Sequence, residues 1–287
     1  MMMENYLEVK NLSKSYGDFL LDNISFTIPA GYIMGLIGAN GAGKTTTIKL
    51  ILNMLKKQTG QVAVLGLDNI IYEWQIKENI GVVFDSAFFA DGWNMSDVEK
   101  NMGMFYKTWD KTKFFSFLDN FQIAKMKKVK ELSRGMQIKL MLACAFSHDA
   151  KLLILDEPTS GLDPVSRDEL LEILLSYIED GQHSVLFSTH ITTDLDRIAD
   201  YITFLNEGSL VFTGEKSAFL DNFRIIRGGK NDLDNELKEH LVGIREFSTG
   251  FEALVDIKYL PCKNNLMVEA ATIDNIIVFT SKGGTLE

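Results

Sequence analysis

Two adjacent carboxylates at the end of an apolar run are the residues of this chain best placed to do chemistry. LLILDEPTSGLDP, residues 152–164, delivers Asp156 and Glu157 directly after Leu152, Leu153, Ile154 and Leu155. Four continuous apolar residues fit a strand buried on both faces, and the open end of such a strand is where α/β sheets place ligands. Two acids there divide the labour. Asp156 helps to hold a hydrated magnesium ion, while Glu157 orients or deprotonates a water. The plain alternative is a pair of acids opening a turn before Pro158.

A second segment weighs against that alternative. Residues 38–45 read GANGAGKT, which satisfies G-x-x-x-x-G-K-[ST] between an apolar run, Ile33 to Ile37, and a helical pattern. Gly38, Gly41 and Gly43 let the backbone turn tightly, so that the loop through Asn40, Gly41, Ala42 and Gly43 aims its N–H groups at a polyphosphate. Lys44 supplies a point charge for the β and γ phosphates. Thr45 offers a hydroxyl to magnesium, and Thr46 a donor to the α phosphate at the start of the helix. The rival reading is a glycine-rich turn with a solvated lysine. Together, loop and acids describe the parts that nucleoside triphosphate hydrolysis needs.

The elements that must carry these residues alternate strand and helix. YLEVK and DNISFTI predict an antiparallel β edge, with the turn NLSKSYGD between them. A helix follows the phosphate loop through Leu55, then short strands at Gln61–Leu65 and Ile80–Phe84, then a helical pattern from Ser96 to about His148 that reads as an inserted subdomain. Ser96 and Glu99 fit a capping box, and Asp110 a cap for KTKFFSFLDN. Asp163 and Pro164 fit N-cap and N1 of a helix whose apolar face is Leu170, Leu171, Leu174, Leu175 and Ile178. SVLFST predicts a strand ending at His190, and YITFLN with SLVFTG a hairpin around Glu207 and Gly208. The main domain is expected to end near residue 222. Residues 223–287 then form a small α/β appendage of apolar runs around the helical DLDNELKEH. The basic run KMKKVK at 125–130 reads as a solvated helix end.

At 287 residues and 46% hydrophobic, the chain is large enough for one α/β domain and an appendage. A net charge of −10 and the lack of a basic stripe oppose nucleic-acid binding. The apolar run Leu140–Phe146 falls far short of the roughly 20 residues that span a bilayer. MMMENYLEVK has no signal-peptide pattern, so a cytoplasmic location without membrane insertion is expected. Cys144 and Cys262 lack metal spacing and suit a reducing compartment as packing residues.

LSRGM, residues 132–136, completes a set. With Lys44, Glu157, SGLD and His190, in this order of motifs, residues 4 to about 220 resemble the ATP-binding subunit of ATP-binding cassette (ABC) transporters. The resemblance implies a P-loop ATPase core with an antiparallel β subdomain and a helical insert at about 86–150. It also implies ATP and magnesium as ligands, and head-to-tail pairing with a second ATP-binding subunit. Ser133 and the Gly135 backbone would then reach the γ phosphate bound by the partner copy. Ser133 is equally suited to an ordinary N-cap, and both roles are compatible. By the same resemblance His190, about 33 residues after Glu157, would bond the γ phosphate and the attacking water; the plain alternative is a loop histidine at a strand end. Asp163 is either a helix cap or a contact across the pair, and Tyr16 either stacks on adenine or is a surface tyrosine.

Departures are informative. Asp85 occupies the place of a glutamine that ligates magnesium in the family; it retains an oxygen on a shorter, charged stem. Arg134 and Met136 replace the commoner glycine and glutamine; Arg134 either adds charge near the nucleotide, strengthening ATP-bound pairing, or points into solvent. A membrane-spanning permease is the implied partner, holding the chain on the inner face of the cell membrane. Phe88, Phe89 and Trp93 are the candidate docking patch, with a core role as the alternative. The compact appendage resembles those of Gram-positive drug, lantibiotic or antimicrobial-peptide exporter subunits. Two rivals stand beside the exporter: a soluble ABC ATPase of assembly or repair, and a weakly hydrolysing regulatory module.

Overall fold

The computed structural model describes residues 4–84, 88–261 and 265–283. The chain opens with β1 (Asn5–Tyr16) and β2 (Phe19–Pro29), followed by β3 (Ile33–Ile37), α1 (Lys44–Ile51), β4 (Thr59–Val64), β5 (Leu67–Asp68), α2 (Glu73–Asn79) and β6 (Ile80–Val83). Three helices come next: α3 (Met95–Met102), α4 (Lys111–Asn120) and α5 (Arg134–Ser147). Alternation resumes with β7 (Leu152–Asp156), α6 (Pro164–Ile178), β8 (Ser184–Thr189), α7 (Thr192–Ile198), β9 (Tyr201–Asn206), β10 (Ser209–Glu215) and α8 (Lys216–Asp221). The remaining elements are β11 (Phe223–Gly229), α9 (Asn235–Glu239), β12 (Leu241–Glu246), β13 (Gly250–Asp256), β14 (Met267–Ala270) and α10 (Ile273–Gly283).

Ten strands form one sheet in the order β5-β4-β1-β2-β10-β9-β3-β8-β7-β6. Its β9, β3, β8, β7 and β6 run parallel, so the loops leaving β3, β7 and β8 emerge along one edge. Register is what gathers the chemistry. Ile37 pairs with Thr189 and Asp156 with Ser188, which brings Glu157 level with Ile37 and Thr189, one row before Gly38 and His190. Alternation of side chains explains why these strands are apolar throughout: Leu153, Leu155 and Phe187 face α5, α6 and α7, whereas Ile154, Leu186 and Leu36 face Ile48 and Ile51 of α1.

Local chemistry sets the ends of several elements differently from the sequence expectations. α1 stops at Ile51 rather than Leu55, because Asn53 turns left-handed at φ 54° and Met54 N bonds back to Lys49 O at 2.9 Å. The capping box of α3 is Asn94 with Asp97, not Ser96 with Glu99: Asn94 Oδ1 accepts from Ser96 N and Asp97 N, and Asp97 Oδ2 accepts from Asn94 N. Glu99 instead pairs with Lys111 at 3.0 Å. KMKKVK is no helix end; it lies after α4, in a turn leading to the 3₁₀ turn Val129–Glu131. Asp110 caps α4 and Asp163 caps α6 with Pro164 at N1. Glu207 and Gly208, at φ 46° and 80°, make the two-residue β9–β10 turn. A side chain at 208 would collide with the Leu20 carbonyl.

The segment carrying α3, α4 and α5 has its own apolar cluster around Val98, Phe114, Leu118, Leu140 and Cys144. Burial pushes the Cys144 thiol far up, so it stays a protonated packing group. Cys262 lies outside the described residues. From Phe223 onward the chain forms a second, antiparallel sheet ordered β12-β13-β11-β14, with DNIIVFT inside α10. That layer joins the core of the first: Ile273, Ile276 and Phe279 share a cluster with Leu195 and Ile198 of α7. Lys216 of α8, which precedes that layer, also holds the end of α7, donating to Leu195 O at 3.3 Å and Asp196 O at 2.9 Å.

Candidate active site

The loop between β3 and α1 owes its shape to glycine. At Gly38, φ 154°, an added Cβ would collide with the Leu205 carbonyl; at Gly43, φ 107°, it would stand 2.8 Å from Leu21 Cδ1. Gly43 is also the N-cap of α1 and offers no side-chain acceptor, so the first N–H groups of the helix face the cleft as an anion site. Lys44 is 6% exposed, with Nζ donating to Gly38 O at 2.8 Å and Ala39 O at 3.3 Å, and lying 3.2 Å from Glu157 Oε1.

Across the cleft, β7 and β8 fix the two acids. Ser188 Oγ donates to Asp156 Oδ1 at 2.6 Å and accepts from Glu157 N at 3.0 Å, while Ser188 O takes the same N–H at 3.1 Å. Glu157 is thereby held at φ 51°, a left-handed conformation that L side chains avoid. Its other carboxylate oxygen, Oε2, lies 2.7 Å from His190 Nδ1. Lys44, Glu157 and His190 thus form one string of contacts.

The cleft has a volume of about 980 Å³, and its walls include Asn40, Gly41, Gly43, Thr45, Thr46 and Asp156. Ala42 is buried beneath the loop. Thr45 and Asp156 place a hydroxyl and a carboxylate on the same wall, donors of the kind that fit magnesium shared with phosphates. Among the described residues no group of three or more His, Cys, Asp or Glu is arranged to hold an ion without that help. Asp85 lies outside the described residues.

Tyr16 ends β1 under Lys14, whose Nζ is 5.2 Å from the ring centroid, and is absent from the cleft wall. The phenylalanine rings that do line the cleft are Phe19, Phe84 and Phe88; Phe19, which the motifs do not mark, is the one that packs against the phosphate loop at Gly43. Ser133 and Gly135 are likewise away from the cleft of their own chain. Ser133 is the exposed N-cap of α5, accepting from Met136 N at 3.3 Å. A Cβ on Gly135 would come within 3.3 Å of Ser166 Oγ, so the starts of α5 and α6 pack closely. Asp163 accepts from Ser166 Oγ at 2.6 Å and from the N–H groups of Val165 and Ser166 at 3.0 Å, bonds that hold its carboxyl below the usual range. Arg134 packs beside Gly161 in the loop before α6. Ser188 is the positioning residue that sequence reasoning passed over; its signal is a hydroxyl near the end of an otherwise apolar strand run, SVLFST.

Comparison with known proteins points to one family. A family profile described as ABC transporter matches residues 21–160. An ABC transporter ATP-binding protein of Synechocystis sp. is 30% identical over 264 residues, covering 86% of this chain and 73% of that protein. The lantibiotic transport ATP-binding protein of Streptococcus pyogenes is 33% identical over 214 residues, covering 73% of this chain and 90% of that protein. A solved structure of an ATP-binding subunit of an ABC transporter aligns with a TM-score of 0.68 at 26% identity, over 74% of this chain and 91% of that one. With its phosphate loop, strand-end acids and β8 histidine, this chain belongs to the family of ABC transporter ATP-binding subunits.

Proposed function

We propose that the chain hydrolyses ATP to drive a membrane exporter of drugs or peptides, working as a pair of ATP-binding subunits. The observation that carries the hydrolytic reading is the Lys44–Glu157–His190 string, at 3.2 and 2.7 Å. Lys44 is placed to neutralise the β and γ phosphates, and Glu157 to accept a proton from the attacking water. His190 keeps that carboxylate oriented and reaches the γ phosphate. Thr45 and Asp156 would hold magnesium, which would supply charge neutralisation there. Ser133, exposed at the start of α5, and the half-buried Gly135 amide beside it serve the nucleotide of the second copy.

The permease docks in a groove of about 500 Å³ between β6 and the helical segment. Phe84, Phe88, Phe89, Trp93, Phe105 and Tyr106 line it, and Phe88 and Phe105 are 67% and 59% exposed. Rings at such exposure suit a partner that buries them. Among the described residues no helix is long and apolar enough to cross a membrane, so transport falls to that partner. Export is supported by a Nod factor export relative, and a peptide-like cargo by the lantibiotic transport relative. The expected outcome for Glu157→Gln is retained ATP binding, a loss of turnover of roughly 10²- to 10⁴-fold, and an ATP-dependent dimer on a sizing column. Undiminished phosphate release from that variant would refute the assigned base.

A further inference from the structure

The geometry points to Asp194 as a positioning residue for hydrolysis, acting on Glu157 through Thr159; it rests on the function proposed above. Asp194 sits on α7, four residues after His190, and is 1% exposed. A carboxylate so deeply buried must be paired, and its partners come from two other elements. Thr159 Oγ1 donates to Asp194 Oδ2 at 2.7 Å, and Arg167 of α6 donates through Nε to Oδ1. Arg167 Nη2 also donates to Thr193 Oγ1 at 2.6 Å. Thr159 is itself 1% exposed, so its hydroxyl is shut off from solvent.

What this network holds is the turn that carries the base. Glu157 has φ 51°, a conformation disfavoured for a non-glycine residue, which persists only where the surroundings enforce it. Before the turn the enforcement is Ser188, which takes the Glu157 N–H through both O and Oγ. After it, Ser160 N bonds Glu157 O at 3.2 Å and Leu162 N bonds Thr159 O at 3.2 Å, making a compact loop whose side-chain anchor to the body of the protein is Thr159 to Asp194. With that anchor released, the loop relaxes towards ordinary φ and carries the Glu157 carboxylate away from Lys44 and His190. Through Arg167, the same buried acid fastens α6, whose N-cap is Asp163. One carboxylate thus ties the base, the helix begun by Asp163 and the helix that follows His190.

Thr159→Val keeps the shape and removes the hydroxyl, leaving the Arg167–Asp194 pair in place; Thr159→Ser keeps the hydroxyl. In the purified full chain, Thr159→Val should lower kcat roughly tenfold while ATP affinity stays within about twofold, because displacement of a catalytic group acts on the reacting geometry. Its melting temperature should stay within a few degrees of the wild type, and Thr159→Ser should restore turnover. A packing role alone would lower the melting temperature and spare kcat per folded molecule. Wild-type turnover in Thr159→Val, or an equal loss in Thr159→Ser, overturns the inference. A wild-type chain that hydrolyses no ATP overturns the proposed function as well, so the two failures are distinguishable.

Discussion

The two functional ends of the molecule are built on opposite plans. At the phosphate loop, Lys44 is 6% exposed and Glu157 has a 19% exposed side chain, and their charged atoms already touch one another and His190. At the start of α5, Ser133 is exposed and bonds within its own helix end. The difference teaches that one half of the proposed nucleotide site is assembled inside the chain, and the other is displayed outward. An assembled half controls binding and chemistry; a displayed half controls only what happens when a second copy arrives.

Four substitutions would break or sharpen that contrast. Lys44→Ala strikes the assembled half hardest: ATP affinity, titrated with a fluorescent analogue, should fall roughly hundredfold, the value of a desolvated charge-assisted contact, and turnover should vanish. Unchanged affinity would remove Lys44 from the phosphate site. Ser133→Ala should leave the affinity of a single chain untouched but reduce turnover roughly tenfold, about one lost hydrogen bond, and weaken the ATP-dependent dimer seen with Glu157→Gln. Should Ser133→Ala weaken binding to the monomer, the displayed half would not be separate after all. The smallest effect concerns the base of the nucleotide. Phe19→Leu should raise the apparent KM for ATP about threefold with kcat unchanged, the scale of one aromatic contact, and Tyr16→Leu should do less. The reverse ranking would return the stacking role to Tyr16.

Much of this was legible in the sequence because the informative residues are neighbours along the chain. GANGAGKT, LLILDEP and Asp163–Pro164 each occupy one turn or strand end, where spacing alone dictates what the residues face. The rest is a product of register. Ser188 clamps Asp156 and Glu157 because β8 lies beside β7, and Thr159 meets Asp194 across 35 positions. Phe19 reaches the cleft because β2 runs beside the hairpin turn at Gly208, whereas Tyr16, two residues after Lys14, lies under that lysine. Capping errors had a local cause: Asn94, Ser96, Asp97 and Glu99 all suit a helix start, and the choice fell to Asn94 and Asp97, whose groups satisfy each other.

α7 is only seven residues long, yet it is a party wall. One side of it starts two residues after His190 and carries Asp194; the other is roofed by Ile273, Ile276 and Phe279. A chain cut after Asn222 would therefore keep every motif and still lose the masonry behind its histidine. What reads along the sequence as an annex is, for that helix, part of the foundation.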